Sequence, residues 1–285
     1  MRLCYICNAT CVNEVWQCQA CGATPQKNSE FIELAPHLAL QNNGFKPEYF
    51  EQLINIEESH FWFRARNRLI CSVAEPFMKN GDSFCEVGCG TGYVLARLAK
   101  CFPNVKFSAT DIYSNALIFA SKRTPAAALY QMDACSIPFS AEFDTMGIFD
   151  VLEHIEKDEV VLQQLHGALK PKGTLLITVP QHPCLWSQYD EINCHVRRYT
   201  RQEMHSKLHN TGFRVILTLS FVSLLFPVMY LSRRRPNRDY IKALQFSHPL
   251  STFMSTIMAI EFEFIRLGVR FPFGGSLLVA AQKID

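Results

Sequence analysis

The pattern of hydrophobic and polar positions changes its period repeatedly from residue 83 onward. Short runs rich in β-branched and aromatic residues alternate with stretches whose apolar residues recur at helical spacing, as at Val161, Leu165 and Leu169. This alternation predicts a doubly wound α/β fold, in which helices cover both faces of a parallel sheet. The predicted strands are SFCEVG, KFSATDI, ALYQMD, TMGIFDV, TLLITVP, FRVILTL and SLLVAAQK.

Glycines and acids follow the first three predicted strands at their carboxyl ends, where open sheets of this kind bind ligands. Gly88, Gly90 and Gly92 permit a tight turn into a helix and a close approach of a ligand to the backbone. A dinucleotide-binding loop would require glycine where Tyr93 stands, and Glu86 would repel a pyrophosphate. Glu86 therefore favours a cationic ligand.

Two further acids end the next strands. Asp111 ends the second strand, where a carboxylate can accept hydrogen bonds from both hydroxyls of a ribose. Asp133 ends the third strand, where it can meet an adenine amino group. With Glu86 and the glycine loop, Asp111 and Asp133 form one candidate ligand-binding site.

The chain resembles class I S-adenosylmethionine-dependent methyltransferases, in the type 11/12-like bacterial subgroup, through the motifs EVGCGTG, ATDI, QMDA, FDTMGIFDVLEHI and LKPKGTLLITVP. The resemblance spans residues 61–283, and the ordered set is more specific than any one motif. It implies S-adenosyl-L-methionine as cofactor and a seven-stranded Rossmann-like sheet whose last strand lies antiparallel beside the sixth. The cofactor-binding residues that it implies are Glu86, Gly88, Cys89, Gly90 and Gly92 for the methionine side, Asp111 and Ile112 for the ribose, Asp133 and Ala134 for the adenine, and Phe149 and Asp150 at the end of the fourth strand.

Two histidines are candidates for a general base toward a hydroxyl acceptor. His195 follows the fifth strand, and His154 follows the fourth strand beside Asp150 and Glu153. A similar acid-x-x-Glu-His run is linked to a divalent cation in the ubiquinone-pathway O-methyltransferases, although the first acid here is Asp rather than Glu. The alternative is that Glu153 and His154 cap the following helix and hold the loop.

The stretch DEINCHVRRYT, residues 190–200, lies on the acceptor side of the sheet by the same resemblance. Thr200 and Glu203 form a capping-box pattern, which predicts a helix beginning after Thr200. A helix N-terminus beside arginines predicts an anion site, and salt bridges to Asp190 or Glu191 are the competing interpretation. The catalytic candidates in this stretch are His195, Arg197, Arg198 and Tyr199.

Two C-x-x-C pairs near the N-terminus predict a closed tetrahedral zinc site. A redox dithiol would need no second pair, and four protein ligands leave no open position, so we expect the zinc to be structural. The predicted ligands are Cys4, Cys7, Cys18 and Cys21.

We expect three regions: a zinc-ribbon-like module at 1–27, a linker with lid helices at 28–80, and the methyltransferase domain at 81–285. By the resemblance, the aromatic residues at 61–63 cover the cofactor and exclude water, although packing between domains would use them equally. Residues 223–272 are predicted to form an apolar helical insertion.

The apolar run at 215–231 is marginal in length for a membrane span, and its first third belongs to the predicted sixth strand, so we predict no transmembrane helix. The later part of the insertion places apolar residues on one helical face, which suits packing over the substrate pocket. Beside a cluster of arginines, it also suits contact with an anionic membrane surface. The apolar positions are Leu250, Phe253, Met254, Ile257, Phe264 and Ile265, and the arginines are Arg233, Arg234, Arg235 and Arg238.

Charge and cysteine content restrict the partners and the compartment. The chain of 285 residues carries 28 Lys and Arg against 26 Asp and Glu, so it lacks the long-range field that gathers nucleic acid. Twelve cysteines without a recognisable signal peptide indicate reduced thiols and a cytoplasmic protein, with contact to the inner face of the membrane as an option.

These features predict a methyltransferase for a small-molecule, sugar-derived or amphipathic acceptor, at oxygen. One alternative is an rRNA base methyltransferase with an N-terminal zinc module, which the balanced charge disfavours. The other is a protein that binds the cofactor without catalysis.

Overall fold

The computed structural model describes residues 1–11, 16–39, 48–233 and 246–284. Its strands are β1 (Gln26–Lys27), β2 (Ile32–Glu33), β3 (Ser83–Val87), β4 (Lys106–Asp111), β5 (Ala128–Gln131), β6 (Phe143–Phe149), β7 (Leu169–Pro180), β8 (Phe213–Phe221) and β9 (Ser276–Lys283). Its helices are α1 (Glu48–Ile56), α2 (Phe61–Ala74), α3 (Tyr93–Cys101), α4 (Ser114–Arg123), α5 (Asp158–Ala168), α6 (Gln188–Ile192), α7 (Arg201–Asn210), α8 (Phe226–Arg233) and α9 (His248–Arg266). Short 3-10 helices lie at Glu75–Phe77, Leu152–His154 and Pro183–Leu185.

The described strands form one sheet in the order β1-β2-β5-β4-β3-β6-β7-β9-β8. The run from β5 to β7 is parallel, and β9 is antiparallel to both β7 and β8. The predicted doubly wound fold is therefore confirmed, with its last strand inserted antiparallel beside the sixth of the seven predicted strands.

The sheet is extended by two short strands that the sequence did not reveal. Strand β2 pairs parallel with β5, and β1 pairs antiparallel with β2. The buried Gln131 side chain exchanges hydrogen bonds with the backbone of Ala35, at 2.9 and 3.0 Å. The region that the sequence predicts as a linker from residue 28 therefore contributes β2 to the sheet. Two-residue strands are too short to show an alternating pattern in the sequence.

Each face of the sheet carries its own apolar layer. On β3, the neighbouring side chains of Phe84 and Cys85 are buried on opposite faces, as the period of a strand requires. Helices α2, α3, α4 and α9 cover the Phe84 face, and α5 and α7 cover the other. Val161 and Leu165 of α5 are fully buried, in accord with the helical spacing of the sequence, whereas Leu169, the third residue of that spacing, begins β7.

The N-terminal segment packs against the sheet near β5. The Trp16 ring meets Tyr130 edge-on at 5.8 Å between centroids and Phe139 at 5.4 Å. The backbone of Arg2 bridges to that of Phe139, and the N-terminal amino group donates to Glu142 Oε2 at 2.9 Å. The segment is therefore held by apolar and polar contacts together.

Helix α9 divides the predicted apolar face into two halves. Met254, Met258 and Ile265 are buried, with α9 packed against α2, whereas Leu250, Phe253 and Phe264 are exposed. The predicted apolar positions therefore do not share one environment, because they span more of the helix than one partner covers.

None of the helices in the described ranges is long and apolar enough to cross a bilayer. Of the arginines predicted to flank the apolar insertion, Arg233 ends α8. Arg234, Arg235 and Arg238 lie outside the described residues.

Candidate functional site

A cavity of about 1380 Å³ lies at the carboxyl ends of β3, β4, β6 and β7. Side chains of α2, α8 and the start of α9 line it opposite the strand ends. A pocket for one drug-sized ligand measures about 300–1,000 Å³, so this cavity has room for two ligands side by side.

The loop after β3 can take only glycine at two positions. Gly88 has φ +73°, and a Cβ atom there would lie 2.4 Å from a methyl carbon of Val151. Gly92 has φ +76° and begins α3, where a Cβ atom would lie 2.9 Å from the backbone of Ala120. Between them, Cys89 and Gly90 line the cavity. The loop therefore presents bare backbone to a ligand.

Glu86 is a buried acid in the wall of this cavity. Its Oε2 atom has no hydrogen-bond partner in the described part of the chain. Burial raises the pKa of Glu86 to about 8, although the charge of Arg66 opposes the shift. A buried carboxyl oxygen without a partner costs stability, and a cationic donor in the cavity would relieve that cost.

Asp111 is held rigidly at the end of β4. Its Oδ2 accepts a hydrogen bond from Gly90 N at 2.8 Å, and its Oδ1 accepts one from Tyr113 N at 2.9 Å. Burial raises its pKa to about 6 against these two hydrogen bonds. Each oxygen keeps a second lone pair, so the carboxylate can accept two hydroxyl donors.

The neighbouring positions continue the same wall. Asp133 Oδ1 accepts a hydrogen bond from Cys135 N at 2.8 Å, which fixes its orientation. Ile112 and Ala134 each line the cavity beside one of these acids, and Phe149 lines it at the end of β6. The predicted cofactor residues on the cavity wall therefore come from one edge of the sheet.

Asp150 interacts with a residue that the sequence analysis did not select. Its Oδ2 accepts a hydrogen bond from Thr178 Oγ1 at 2.8 Å and forms an ion pair with Arg66. The Arg66 guanidinium lies over the Trp62 ring, 4.6 Å from its centroid, and lines the cavity. The sequence feature that could have identified Arg66 as a cavity residue is its position one helical turn after the aromatic residues at 61–63.

A second polar cluster joins the chain before α2 to the glycine loop. Thr91 Oγ1 donates to the Glu57 carboxylate at 2.7–2.8 Å, and Arg123 Nη1 donates to the same carboxylate at 2.6 Å. His60 caps α2, since its Nδ1 accepts from Trp62 N at 3.2 Å. These contacts hold α2 beside the cavity, and no motif in the sequence indicated them.

The two neighbouring arginines of the HVRRYT stretch point in different directions. Arg198 lines the cavity, whereas Arg197 pairs with Asp158 at 2.6 Å outside it. The Tyr199 hydroxyl is fully buried and donates to Asp158 at 2.8 Å. The structure therefore does not bring Arg197 and Tyr199 into the cavity with the other catalytic candidates, because both side chains bind Asp158. Thr200 caps α7 as predicted, accepting from Glu203 N at 3.1 Å.

Asp190 is the fully buried centre of a charged cluster on the acceptor side. Its carboxylate lies 3.0 Å from His195 Nδ1, 2.7 Å from Arg198 Nη1 and 2.9 Å from Arg233 Nη1. Burial alone would raise the pKa of Asp190, but the His195 hydrogen bond and the two arginines hold it well below its ordinary value. For Arg198 the geometry therefore favours the salt-bridge interpretation over an anion site. The sequence predicted Arg233 only as one of the arginines beside a membrane surface, whereas here it pairs with Asp190.

His154 and His195 meet edge-to-face, with ring centroids 4.7 Å apart. Burial, together with the neighbouring His195, lowers the pKa of His154 to about 4. Glu153 is buried beside them, and Lys157 rather than either residue precedes α5. Neither residue therefore caps this helix, and both line the cavity. They do hold the following loop, as the same alternative expected, since Val196 N donates to Glu153 O at 2.7 Å and the His154 ring bonds to the backbone of Cys194.

The four predicted zinc ligands come together in the N-terminal segment. The Sγ atoms of Cys4 and Cys21 are 3.5 Å apart, and those of Cys7 and Cys18 are 3.6 Å apart. All four sulfur atoms lie within 4.8 Å of one another. The backbone N–H of Cys7 donates to Cys4 Sγ at 3.5 Å, as expected where a thiolate turns round a metal ion.

Comparison with known proteins places the chain in a family. Residues 55–218 match Methyltransf_23, described as a methyltransferase domain. A malonyl-[acyl-carrier protein] O-methyltransferase of Priestia megaterium is 25% identical over 114 residues, which is 39% of this chain and 42% of that protein. The chain spans about half the length, or less, of the curated relatives it matches first.

Solved structures share the fold at low sequence identity. Phosphoethanolamine N-methyltransferase 2 of Haemonchus contortus, in complex with S-adenosyl-L-methionine, gives a TM-score of 0.53 at 20% identity over 75% of this chain and 52% of that chain. A chain from the complex of the Haloferax volcanii Trm112 methyltransferase activator with a methyltransferase gives 0.59 at 16% identity, over 84% of this chain and 95% of that one. The match over residues 55–218 covers more than half of the sequence, so the chain belongs to the methyltransferase-domain family, on the class I fold of S-adenosylmethionine-dependent methyltransferases.

Proposed function

We propose that the chain is an S-adenosylmethionine-dependent methyltransferase whose cofactor lies across the glycine loop. The observation that carries this proposal is the Glu86 carboxyl, whose buried Oε2 atom has no partner among the described residues and which lies with the rigid Asp111 on one cavity wall. Glu86 would accept hydrogen bonds from the cofactor's ammonium group, and Asp111 from the ribose hydroxyls. The cofactor supplies a methyl group on a sulfonium, which is already activated for displacement. Arg66 offers a cation for the methionine carboxylate on the opposite wall.

Cofactor affinity should rise with pH because of Glu86. The pKa of this acid is raised to about 8, so below pH 8 it must lose a proton before it can pair with an ammonium group. Release of one proton on binding makes the affinity rise by about tenfold per pH unit. Asp111 titrates lower, with a pKa of about 6, so the range from about pH 6.5 to 8 isolates Glu86.

Calorimetric titration with S-adenosylhomocysteine across this range measures the effect. Glu86→Gln is the matched control, because it keeps the shape of the side chain without a titrating proton. Its affinity should be weaker and nearly independent of pH. An equal slope in both proteins would contradict the assignment of Glu86.

We propose an acceptor with an apolar part, methylated at oxygen. The part of the cavity beyond the glycine loop is lined by apolar side chains of α8 and α9 and by the polar pair His154 and His195. A histidine at this position can accept the proton of a hydroxyl nucleophile. The O-methyltransferase activity named for the Priestia megaterium relative supports oxygen as the acceptor atom.

Contact with a membrane surface is part of this proposal. Leu250 belongs both to the cavity lining and to the exposed face of α9, where Phe253 is 62% and Leu267 is 79% exposed. Arg266 ends the same helix, Arg270 follows four residues later, and both are exposed. An apolar helix face beside cations favours an anionic bilayer surface, from which an amphipathic acceptor could enter the cavity.

The test is transfer of a labelled methyl group to fractionated extracts. Lipids, water-soluble metabolites and RNA are supplied separately, with and without vesicles containing phosphatidylglycerol. We expect labelled product in the lipid or amphipathic fraction, and more of it with vesicles. Label in RNA would instead support the rRNA methyltransferase alternative. Absence of transfer to any fraction, with S-adenosylhomocysteine still bound, would support binding without catalysis.

We also propose that the four cysteines hold a structural zinc ion. Four sulfur ligands close its coordination shell, so the ion can stabilise the fold but cannot bind substrate. Trp16 lies between the two C-x-x-C pairs and packs on Tyr130 and Phe139, so zinc would fix the segment that rests on β5.

A further inference from the structure

We propose that Glu153, His154 and His195 bind one divalent transition-metal ion in the wall of the acceptor side. One ligand atom from each of the three side chains lies within 4.8 Å of the other two. Atoms bound to one ion at about 2.0–2.2 Å lie about 3–4 Å apart, so small side-chain rotations complete the site. All three residues line the cavity, which leaves coordination positions open toward a substrate.

The surroundings of His195 orient it as a metal ligand. Its Nδ1 lies 3.0 Å from Asp190 Oδ1, and Arg198 and Arg233 keep that carboxylate ionised. The proton of His195 is therefore on Nδ1, which leaves the Nε2 lone pair for a metal ion. A carboxylate behind a histidine in this way is typical of metal sites, where it fixes the tautomer and increases the basicity of the ligand.

Glu153 and His154 are oriented by the loop that carries His195. The ring of His154 forms hydrogen bonds with the backbone of Cys194 and Asn193, and Val196 N donates to Glu153 O at 2.7 Å. These contacts hold the loop that carries His195 against the 3-10 helix that carries Glu153 and His154.

The Glu153 side chain supplies independent evidence for a ligand. Glu153 is 1% exposed, and its Oε2 atom has no hydrogen-bond partner within the described ranges. Asp150, the nearest other acid in the stretch, is already paired with Arg66 and Thr178 and is not needed in the set. A buried carboxyl oxygen beside two imidazoles is a costly arrangement unless a cation binds it.

The ligand types select the metal. Two imidazoles and one carboxylate suit Mn²⁺, Fe²⁺, Co²⁺ or Zn²⁺, whereas Mg²⁺ and Ca²⁺ prefer oxygen ligands. The role of the ion rests on the proposed function: when bound, it would replace the histidines in activating the acceptor, because a hydroxyl on the ion has a lower pKa and can release its proton to water. The binding itself does not depend on that function.

The test is Mn²⁺ binding by the full chain, followed through the electron paramagnetic resonance signal of free Mn²⁺. One equivalent of zinc is present throughout, because thiolates prefer zinc and the cysteines then do not compete. We expect one Mn²⁺ site, with affinity at least about tenfold weaker in His195→Ala and in His154→Gln. His205→Ala is the matched control, because its ring contacts Thr218 at 2.8 Å and is not part of the cavity lining.

Two results would overturn the metal site: no Mn²⁺ binding by the unaltered chain, or equal binding in all three variants. Calorimetry with S-adenosylhomocysteine on the same samples shows whether each variant is folded. The same calorimetry separates the two proposals. If the unaltered chain did not bind S-adenosylhomocysteine, the proposed function would be contradicted, whereas the Mn²⁺ site would be unaffected.

Discussion

Replacing Asp111 by alanine should weaken S-adenosylhomocysteine binding by about 30-fold or more, because charge-assisted hydrogen bonds contribute about 1.5–3 kcal/mol each. The carboxylate is fixed by Gly90 N and Tyr113 N, so a ribose would find both acceptors already in place. Loss of that preorganised pair removes the interaction and leaves the hydroxyls of the ligand unpaired.

Calorimetry of Asp111→Ala beside Asp144→Ala measures this effect. Asp144 is a matched control because its carboxylate is also held by partners, Lys170 at 2.7 Å and the Ser83 hydroxyl. Unlike Asp111, it is not part of the cavity lining. The Asp144 variant should therefore bind normally even if it unfolds at a lower temperature. Unchanged affinity in Asp111→Ala would remove the ribose assignment.

Replacing Cys4 and Cys18 together by serine should abolish zinc binding and unfold the N-terminal segment. Structural zinc sites of this type contribute about 10–16 kcal/mol of apparent binding energy in small peptides, more than a short segment gains from its own core. Metal analysis should give about one zinc ion per chain before the change and none after it. Limited proteolysis should then cleave before Phe31, where the segment joins the sheet.

Cys11→Ser is the matched control for the cysteine pair. Cys11 is buried in the same cluster, but it belongs to neither C-x-x-C pair and is not among the four sulfur atoms that converge. Its replacement should leave the zinc content unchanged. A folded, protease-resistant protein without metal would contradict the zinc proposal.

The fold was predictable where single elements carry strong patterns. Strands β3 to β9 are long enough to show β-rich apolar runs, and their polar ends gave Glu86, Asp111 and Asp133 directly. Strands β1 and β2 have two residues each and are specified by pairing with β5, so no local period reveals them.

The acceptor side was less predictable because its chemistry depends on side-chain direction. The sequence places Arg197 and Arg198 together, but only tertiary packing shows that Asp158 takes one and Asp190 the other. Arg66 and Arg233 reach the cavity from helices distant in sequence, and an ion pair between such segments leaves no local spacing to read.

The short strands at the N-terminal side have a consequence for association between chains. A sheet that ended at β5 would present a row of unpaired backbone donors and acceptors, on which a strand of another chain could pair. Strand β2 covers that row, and β1 then forms the border as two exposed residues, Gln26 and Lys27. A short, charged border is a poor template for further strands, so the segment that carries the cysteines also protects the sheet against edge-to-edge aggregation.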